Sequence, residues 1–140
     1  MNVISTFRGK YAFLSNFSGD KSINVEIKYQ AAKAIYFEDY LKIINCSSAK
    51  EAKELSKTIT VRKDWNDVRV ILMEQFLREK YSTQPYKNDL LATGNAMLIE
   101  GNHWCDTFWG VCNGLGENKL GVLLMKIRDE FLLSDGLIQY

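Results

Sequence analysis

The sequence predicts a mainly α fold: a compact multihelical single domain over residues 1–140, with a small β element near the N-terminus. Three observations predict it. The chain has 140 residues and 46% hydrophobic content, one domain's worth, able to bury roughly two-thirds of its unfolded surface. Apolar side chains recur at helical spacing in several stretches, whereas β-like segments are short and early. The single proline, Pro85, and the lack of repeats, linkers or low-complexity tracts leave few boundaries.

Residues 1–8 and roughly 22–26 read as short β segments around the run Phe7–Phe17. That run mixes aromatic anchors with Arg8, Ser15 and Asn16, side chains able to hold an anionic or polar ligand. A plain turn stapled by Phe13 and Phe17 is the alternative. Residues 25–45 form the first helix. At ~100° per residue Glu26, Gln30 and Lys33 share one narrow stripe. Phe37 continues it, Tyr29 and Tyr40 flank it, and Lys28, Ala32 and Asp39 take the opposite, solvated side. The polar trio stands where an amphipathic helix normally carries aliphatic side chains. Burying a carboxylate and an ammonium is costly unless they are paired or functional. A structural Glu26–Lys33 pair and a site-lining face are the two readings.

Ser48-Ala49-Lys50-Glu51 has the form of a capping box and opens a short helix to about Ser56. Asp64 caps a long helix whose apolar positions are Trp65, Val68, Leu72, Phe76 and Leu77. Trp65, in its first turn, either overhangs a cavity or anchors the core. Pro85 and Gly94 bracket a helix over Tyr86–Thr93, and Ala96–Glu100 is an extended or buried entry to the tryptophan segment. The last helix spans Asn118–Leu133 with Leu120, Leu123, Leu124, Ile127 and Phe131 on its core side.

Between these helices, Glu100–Val111 holds two of the three tryptophans, the only histidine, one of three cysteines and two carboxylates. Five of the nine glycines fall between positions 101 and 121. Rings, carboxylates and glycines in this density suit a pocket lining. Glu100 and Asp106 read as an acid and a base, or as turn caps. Gly114-Leu115-Gly116 ahead of a helix offers backbone amides to a phosphate, without the full dinucleotide fingerprint.

The net charge of +1 shows no basic excess for gripping nucleic-acid phosphates, which does not exclude a nucleotide or a single modified base as substrate. No apolar run approaches the ~20 residues of a membrane span, so no membrane partner is expected. Met1-Asn2-Val3 does not open a signal peptide, and cytoplasmic localisation is the expectation. Cys46, Cys105 and Cys112 lack paired spacing and read as free thiols in a reducing compartment. His103 and Cys105 alone do not make a metal site, so neither metal nor cofactor is expected.

Taken together, these motifs resemble those of the NADAR family, the YbiA-like proteins. The resemblance rests on Phe7–Phe17, Glu26–Lys33, Arg62-Lys63-Asp64-Trp65, Glu100–Gly110 and Asn118–Met125, in the family's order and over nearly the whole chain. It implies a mostly helical fold and N-glycosidase activity. Members cut N-ribosyl bonds in early riboflavin-pathway intermediates or remove ADP-ribose from modified guanine. By resemblance Glu26, Trp65 and Asp106 are catalytic, with Lys33 also implicated. Arg8, Ser15, Asn16, Phe17, Tyr29, Gln30, Glu100, Asn102, Trp104, Trp109, Gly110 and Asn118 are the expected substrate-binding residues. Val25-Glu26-Ile27-Lys28 departs from the family's frequent Ser/Thr-Glu-His start, which removes an imidazole beside Glu26.

The side chains suit that chemistry independently. Breaking an N-ribosyl bond builds positive charge on the sugar carbon and negative charge on the departing base. A buried carboxylate stabilises the first and activates water. Glu26 or Asp106 fits that part, Trp65, Trp104 or Trp109 stacks on a ring, and Arg8 holds a phosphate with help from the backbone near Gly114 and Gly116. Lys33 either orients Glu26 or attacks the sugar as an amine. The expected partner is a small nucleotide-like substrate, ADP-ribose or a ribosylated base, with ADP-ribosylated DNA as a further substrate. The rival from another class is a module that binds NAD or ADP-ribose without turnover.

Overall fold

The computed structural model describes residues 2–135, which fall into two units. One consists of residues up to Ser15 together with those from Thr83 onward; the other is Asn16–Ser82. Met1, the first residue of the predicted N-terminal β segment, lies outside the described residues. Among the described residues helices dominate and every strand is two residues long, as a mainly α chain with little β structure requires.

The unit Asn16–Ser82 holds α1 (Val25–Ala32), α2 (Phe37–Ile44), α3 (Ala49–Ser56) and α4 (Trp65–Tyr81). Asn24 caps α1: its Oδ1 accepts from the Ile27 amide at 3.0 Å, and its Nδ2 donates to the Phe17 carbonyl at 3.2 Å. The chain therefore turns into helix where a strand over 22–26 is predicted. Asp20 tightens that turn by accepting from the Ser22 amide and hydroxyl. Helix α1 packs against α2, α3 and α4, so it has no water-facing stripe. Val25, Glu26, Ile27, Tyr29, Gln30 and Ala31 are all buried. Lys28 and Ala32, predicted to be solvated, are half-buried, and Lys28 reaches outward to Glu79 at 2.6 Å. Ile27 and Ala31 join Ile43, Cys46 and Ala52 in the core of this unit.

The predicted helix over 25–45 is broken in two. The amides of Lys33 and Ala34 still donate back to Gln30 O and Ala31 O, but from the Lys33 carbonyl onward the backbone is taken up by the segment before α4. Arg62 N donates to the Lys33 carbonyl at 2.8 Å, Ala34 bridges Val61, and Ile35 N donates to Thr60 O at 3.3 Å. The break rotates Phe37 and Tyr40 off the Glu26 stripe. Phe37 is 70% exposed, and the two rings stack on each other outside, 6.1 Å apart.

Ser48 caps α3 as predicted, accepting from the Glu51 amide at 3.1 Å. Asp64 stands at the start of α4 but gives the helix no side-chain bond. Arg62 takes both of its oxygens, at 2.6 and 2.9 Å. Along α4 the buried face is Trp65, Met73, Leu77, Lys80 and Tyr81; Val68, Leu72 and Phe76 are half-buried.

In the other unit β1 (Val3–Ile4) runs parallel to β2 (Met97–Leu98), and β3 (Gly101–Asn102) parallel to β4 (Val111–Cys112). The β segment predicted over 1–8 is thus only two residues long, followed by a 3₁₀ turn at Gly9–Leu14. Helix α5 (Tyr86–Leu91) stops before the predicted Thr93, and Gly94 supplies the left-handed φ of +62° that ends the segment. Helix α6 (Lys119–Ser134) packs on β2 and α5, burying Leu120, Leu123, Leu124 and Ile127 as predicted. Phe131 is half-buried under the Lys87 ammonium, 4.9 Å from its ring.

Candidate active site

The unit Asn16–Ser82 brings Glu26, Tyr29, Gln30, Lys33 and Trp65 together. Glu26, in the first turn of α1, is 7% exposed, and its Oε1 accepts from Gln30 Nε2 at 2.6 Å, one turn on. A carboxylate buried this far is tolerable only with bonded partners. The Glu26 amide is itself held by the Asn16 carbonyl at 3.1 Å. Tyr29 and Trp65 are buried and tilted across each other at 4.9 Å between centroids. Trp65 reaches this position because the Lys33–Arg62 bond draws the start of α4 onto the end of α1. Trp65 is thus buried, as the core-anchoring reading expects.

Lys33 closes α1, its ammonium 5.6 Å from the Tyr29 ring and 5.9 Å from that of Trp65. Among the described residues it has no hydrogen-bond or ion-pair partner, so the structural Glu26–Lys33 pair is absent as a salt bridge. Burial lowers its pKa from the ordinary lysine value. The Glu26 charge pulls it back up, and Lys53 and Arg69 push it further down. The sequence reading missed those two cations. Arg69 stands one helical turn after Trp65, and that spacing is the signal that would have found it. Two buried acceptors, Gln30 Oε1 and Asn16 Oδ1, have no hydrogen-bond partner among the described residues. Phe17 is 46% exposed with the Lys53 ammonium 5.7 Å from its ring.

The other unit carries the remaining predicted residues, and most of their polar atoms build a loop. Asp106 Oδ1 accepts from the amides of Phe108 at 3.1 Å and Trp109 at 2.9 Å. Asn102 spans the same turn, donating to the Asp106 carbonyl at 2.9 Å and accepting from its amide at 3.0 Å. Glu100 Oε2 accepts from Asn102 Nδ2 at 3.0 Å. Asn118, in the left-handed region at φ +52°, accepts from Glu100 N and donates to Leu98 O, each at 2.9 Å. Gly110 is required sterically, because a Cβ there would run into the Glu100 carboxylate and carbonyl.

The glycine-rich stretch folds as a tight turn, and the helix amides that follow it are taken. Asn113 and Gly114 have φ of +53° and +76°, and Cys112 and Leu115 exchange backbone bonds of 2.8 and 3.0 Å, a two-residue primed hairpin turn. The amides at the start of α6 are already used: Glu117, Asn118, Lys119 and Leu120 donate to the carbonyls of Thr107, Gly110, Phe108 and Trp109. The Asn-Gly dipeptide is the signal that announces this turn.

Arg8 lies instead at an exposed aromatic group. Its Nη2 is 3.5 Å from His103 Nδ1 and its Cζ 6.0 Å from the Trp104 ring, which His103 meets edge-on. Trp104 is 48% exposed, whereas Trp109 is half-buried and T-shaped against Phe108 at 4.8 Å. Ser15 ends the 3₁₀ turn, its amide bonded to Ala12 O at 2.9 Å. Cys46 and Cys112 are buried, Cys105 is exposed, and all three are free.

These features define a mainly helical protein in which one unit buries a carboxylate beside a lysine and a Tyr–Trp pair. Residues 6–132 match the model of the NADAR domain, and the chain belongs to that family. It is 37% identical over 134 residues to a riboflavin biosynthesis protein of Vibrio vulnificus, covering 86% of this chain and 35% of that protein. With an N-glycosidase of Nostoc punctiforme it shares 34% identity over 113 residues, 76% of this chain and 72% of the other. The NMR structure of E. coli YbiA superposes with a TM-score of 0.81 at 27% identity, over 99% of this chain and 93% of that one. The chain thus spans only about a third of the Vibrio relative. No helix among the described residues is long and apolar enough to cross a membrane.

Proposed function

We propose that this chain is an N-glycosidase that hydrolyses the bond between a ribosyl C1′ and a nitrogen of a heteroaromatic base or amine. The observation that carries the reading is the buried Glu26 carboxylate, oriented by Gln30 and sharing its unit with Lys33 and the Tyr29–Trp65 ring pair. As the C1′–N bond breaks, its electron pair leaves with the base nitrogen and C1′ becomes electron-poor. Glu26 stabilises that carbon and takes a proton from the water that attacks it; the proton passes on to the leaving nitrogen. Tyr29 and Trp65 offer flat apolar walls to the ring. The Arg8–Trp104 group suits a phosphate or a second ring, and Asp106 and Asn102 act by holding the loop that carries Trp104 and Trp109.

Lys33 has two routes. Charged, it tunes Glu26. Neutral, its nitrogen bonds C1′ as the base departs, the sugar opens to an imine, and water releases it. Burial and the lack of an ion-pair partner favour the amine. Two substrate classes fit, phosphoribosyl-aminopyrimidines of riboflavin synthesis and ADP-ribosylated nucleobases, and the names of the relatives favour the first.

The test is chromatographic release of free base from both substrate types. Glu26→Gln should lower the rate on the order of 10²–10⁴-fold without loss of helicity. Ligand-dependent stabilisation without release of base from either substrate would make the chain a binding module instead.

A further inference from the structure

The unit formed by residues up to Ser15 and from Thr83 onward contains a cavity of about 480 Å³, within the range of small-molecule sites. None of the residues assigned to the N-glycosidase reaction lines it. Val3, Ile4, Ala92 and Ala96 give it apolar walls, and Tyr11 and Phe13 add two rings 6.5 Å apart and tilted by 58°. Asn2, Thr93 and Asp89 complete the lining, and Asp89 is the only charged residue among them.

The polar groups differ in what they leave open. Thr93 Oγ1 already donates to Leu90 O at 2.6 Å and accepts from Arg128 Nη1 at 3.1 Å. Asp89 uses its backbone amide on the Pro85 carbonyl, but among the described residues its carboxylate has no hydrogen-bond or ion-pair partner. The Tyr11 face already receives a cation, with the Lys10 ammonium 5.0 Å from its centroid. A carboxylate without a partner among the described residues, lining a cavity with apolar walls and two rings, is complementary to positive charge on an apolar body: Asp89 neutralises the cation, and the ring surface that Lys10 leaves uncovered adds quadrupole attraction. A free anion would meet Asp89 unfavourably, and a neutral apolar guest would desolvate the carboxylate without compensation.

We propose that this cavity is a second ligand site, selective for small organic cations with an apolar body, such as a quaternary or alkylated ammonium. It stands independently of the N-glycosidase reading, since no residue of that reading lines it.

Choline and its uncharged carbon isostere 3,3-dimethylbutan-1-ol are the probes, titrated against the ¹⁵N-labelled full chain. Choline should shift the amides of Ala92, Thr93 and Ala96 and saturate in the millimolar range, while the alcohol binds at least tenfold more weakly. Asp89→Asn should weaken choline at least tenfold, and Tyr11→Leu, which keeps apolar bulk and removes the ring, severalfold. Both variants should keep the wild-type spectrum elsewhere and wild-type base release. Equal binding of choline and the alcohol, unchanged choline affinity in Asp89→Asn, or shifts away from this lining would overturn the site. Should Tyr11→Leu fail to fold, the choline–alcohol comparison on the wild type and Asp89→Asn still decides.

Discussion

Replacing Lys80 by methionine asks how the unit that holds Glu26 accommodates a second buried cation. Lys80 is 0% exposed on the inner face of α4, its ammonium donating to Ser18 Oγ at 2.8 Å and lying 5.2 Å from the Tyr81 ring. Burial lowers its pKa to about 7 from the ordinary 10.5. The unfolded chain keeps the ordinary value, so between those limits the unfolded state binds the extra proton and stability rises with pH. The penalty is complete below about pH 7 and gone above about 10.5. At ~1.4 kcal/mol per pKa unit the full span amounts to ~5 kcal/mol as an upper bound. Methionine keeps the length and loses the charge, at a cost of about 1 kcal/mol for the Ser18 bond. Lys80→Met should therefore be more stable than wild type by about 1–3 kcal/mol near pH 7, and the difference should shrink or reverse by pH 10. Urea unfolding monitored by circular dichroism at intervals from pH 6 to 10 measures both curves. A variant less stable at pH 7, with an unchanged slope against pH, would mean that Lys80 stays charged in the fold and would refute the argument.

The same geometry sets three further outcomes. Because burial lowers the Lys33 pKa, the neutral amine gains population as pH rises through the folded value; base release should rise with it, borohydride should trap a sugar adduct on wild type, and Lys33→Met should abolish trapping. Gly110→Ala drives a Cβ into Glu100 and should destabilise by about 1–3 kcal/mol in urea unfolding, with a matching loss of activity. Asp106→Ala frees the amides of Phe108 and Trp109 and should cost about 1–2 kcal/mol; a higher KM at nearly constant kcat marks a positioning residue, whereas a collapse of kcat at constant KM puts Asp106 among the reacting groups.

The heart of α1 was legible in the sequence because its signal is local. Glu26, Gln30 and Lys33 share a stripe by helical arithmetic alone, and a polar stripe flanked by aromatic residues is conspicuous. The end of that helix was not legible. Helical spacing continues smoothly from Lys33 through Phe37 to Tyr40, and what breaks it is bonding to Thr60, Val61 and Arg62, about 27 residues away in sequence. Asp64 shows the same limit at short range: its place before α4 was readable, but its capture by Arg62 depends on a side-chain competition that position does not reveal.

Residues 100–118 resisted reading for a different reason, and that reason bears on how the chain works. The segment combines carboxylates, asparagines and glycines, a composition that chemistry and loop construction both require. The structure commits much of that polar inventory to construction. Asn102, Asp106 and Asn118 bond backbone amides and carbonyls, Gly110 makes room for Glu100, and the carbonyls from Thr107 to Gly110 feed the opening amides of α6. A loop tied at this many points holds the exposed Trp104 and half-buried Trp109 without a packed core beneath every residue. Rigid presentation of large rings lowers the entropy lost on engaging a flat ligand. The segment is therefore expected to act through shape and stacking; on the proposed function, proton transfer and charge belong to Glu26 and Lys33. On that division, Trp104→Ala should raise KM severalfold and spare kcat, the reverse of Glu26→Gln.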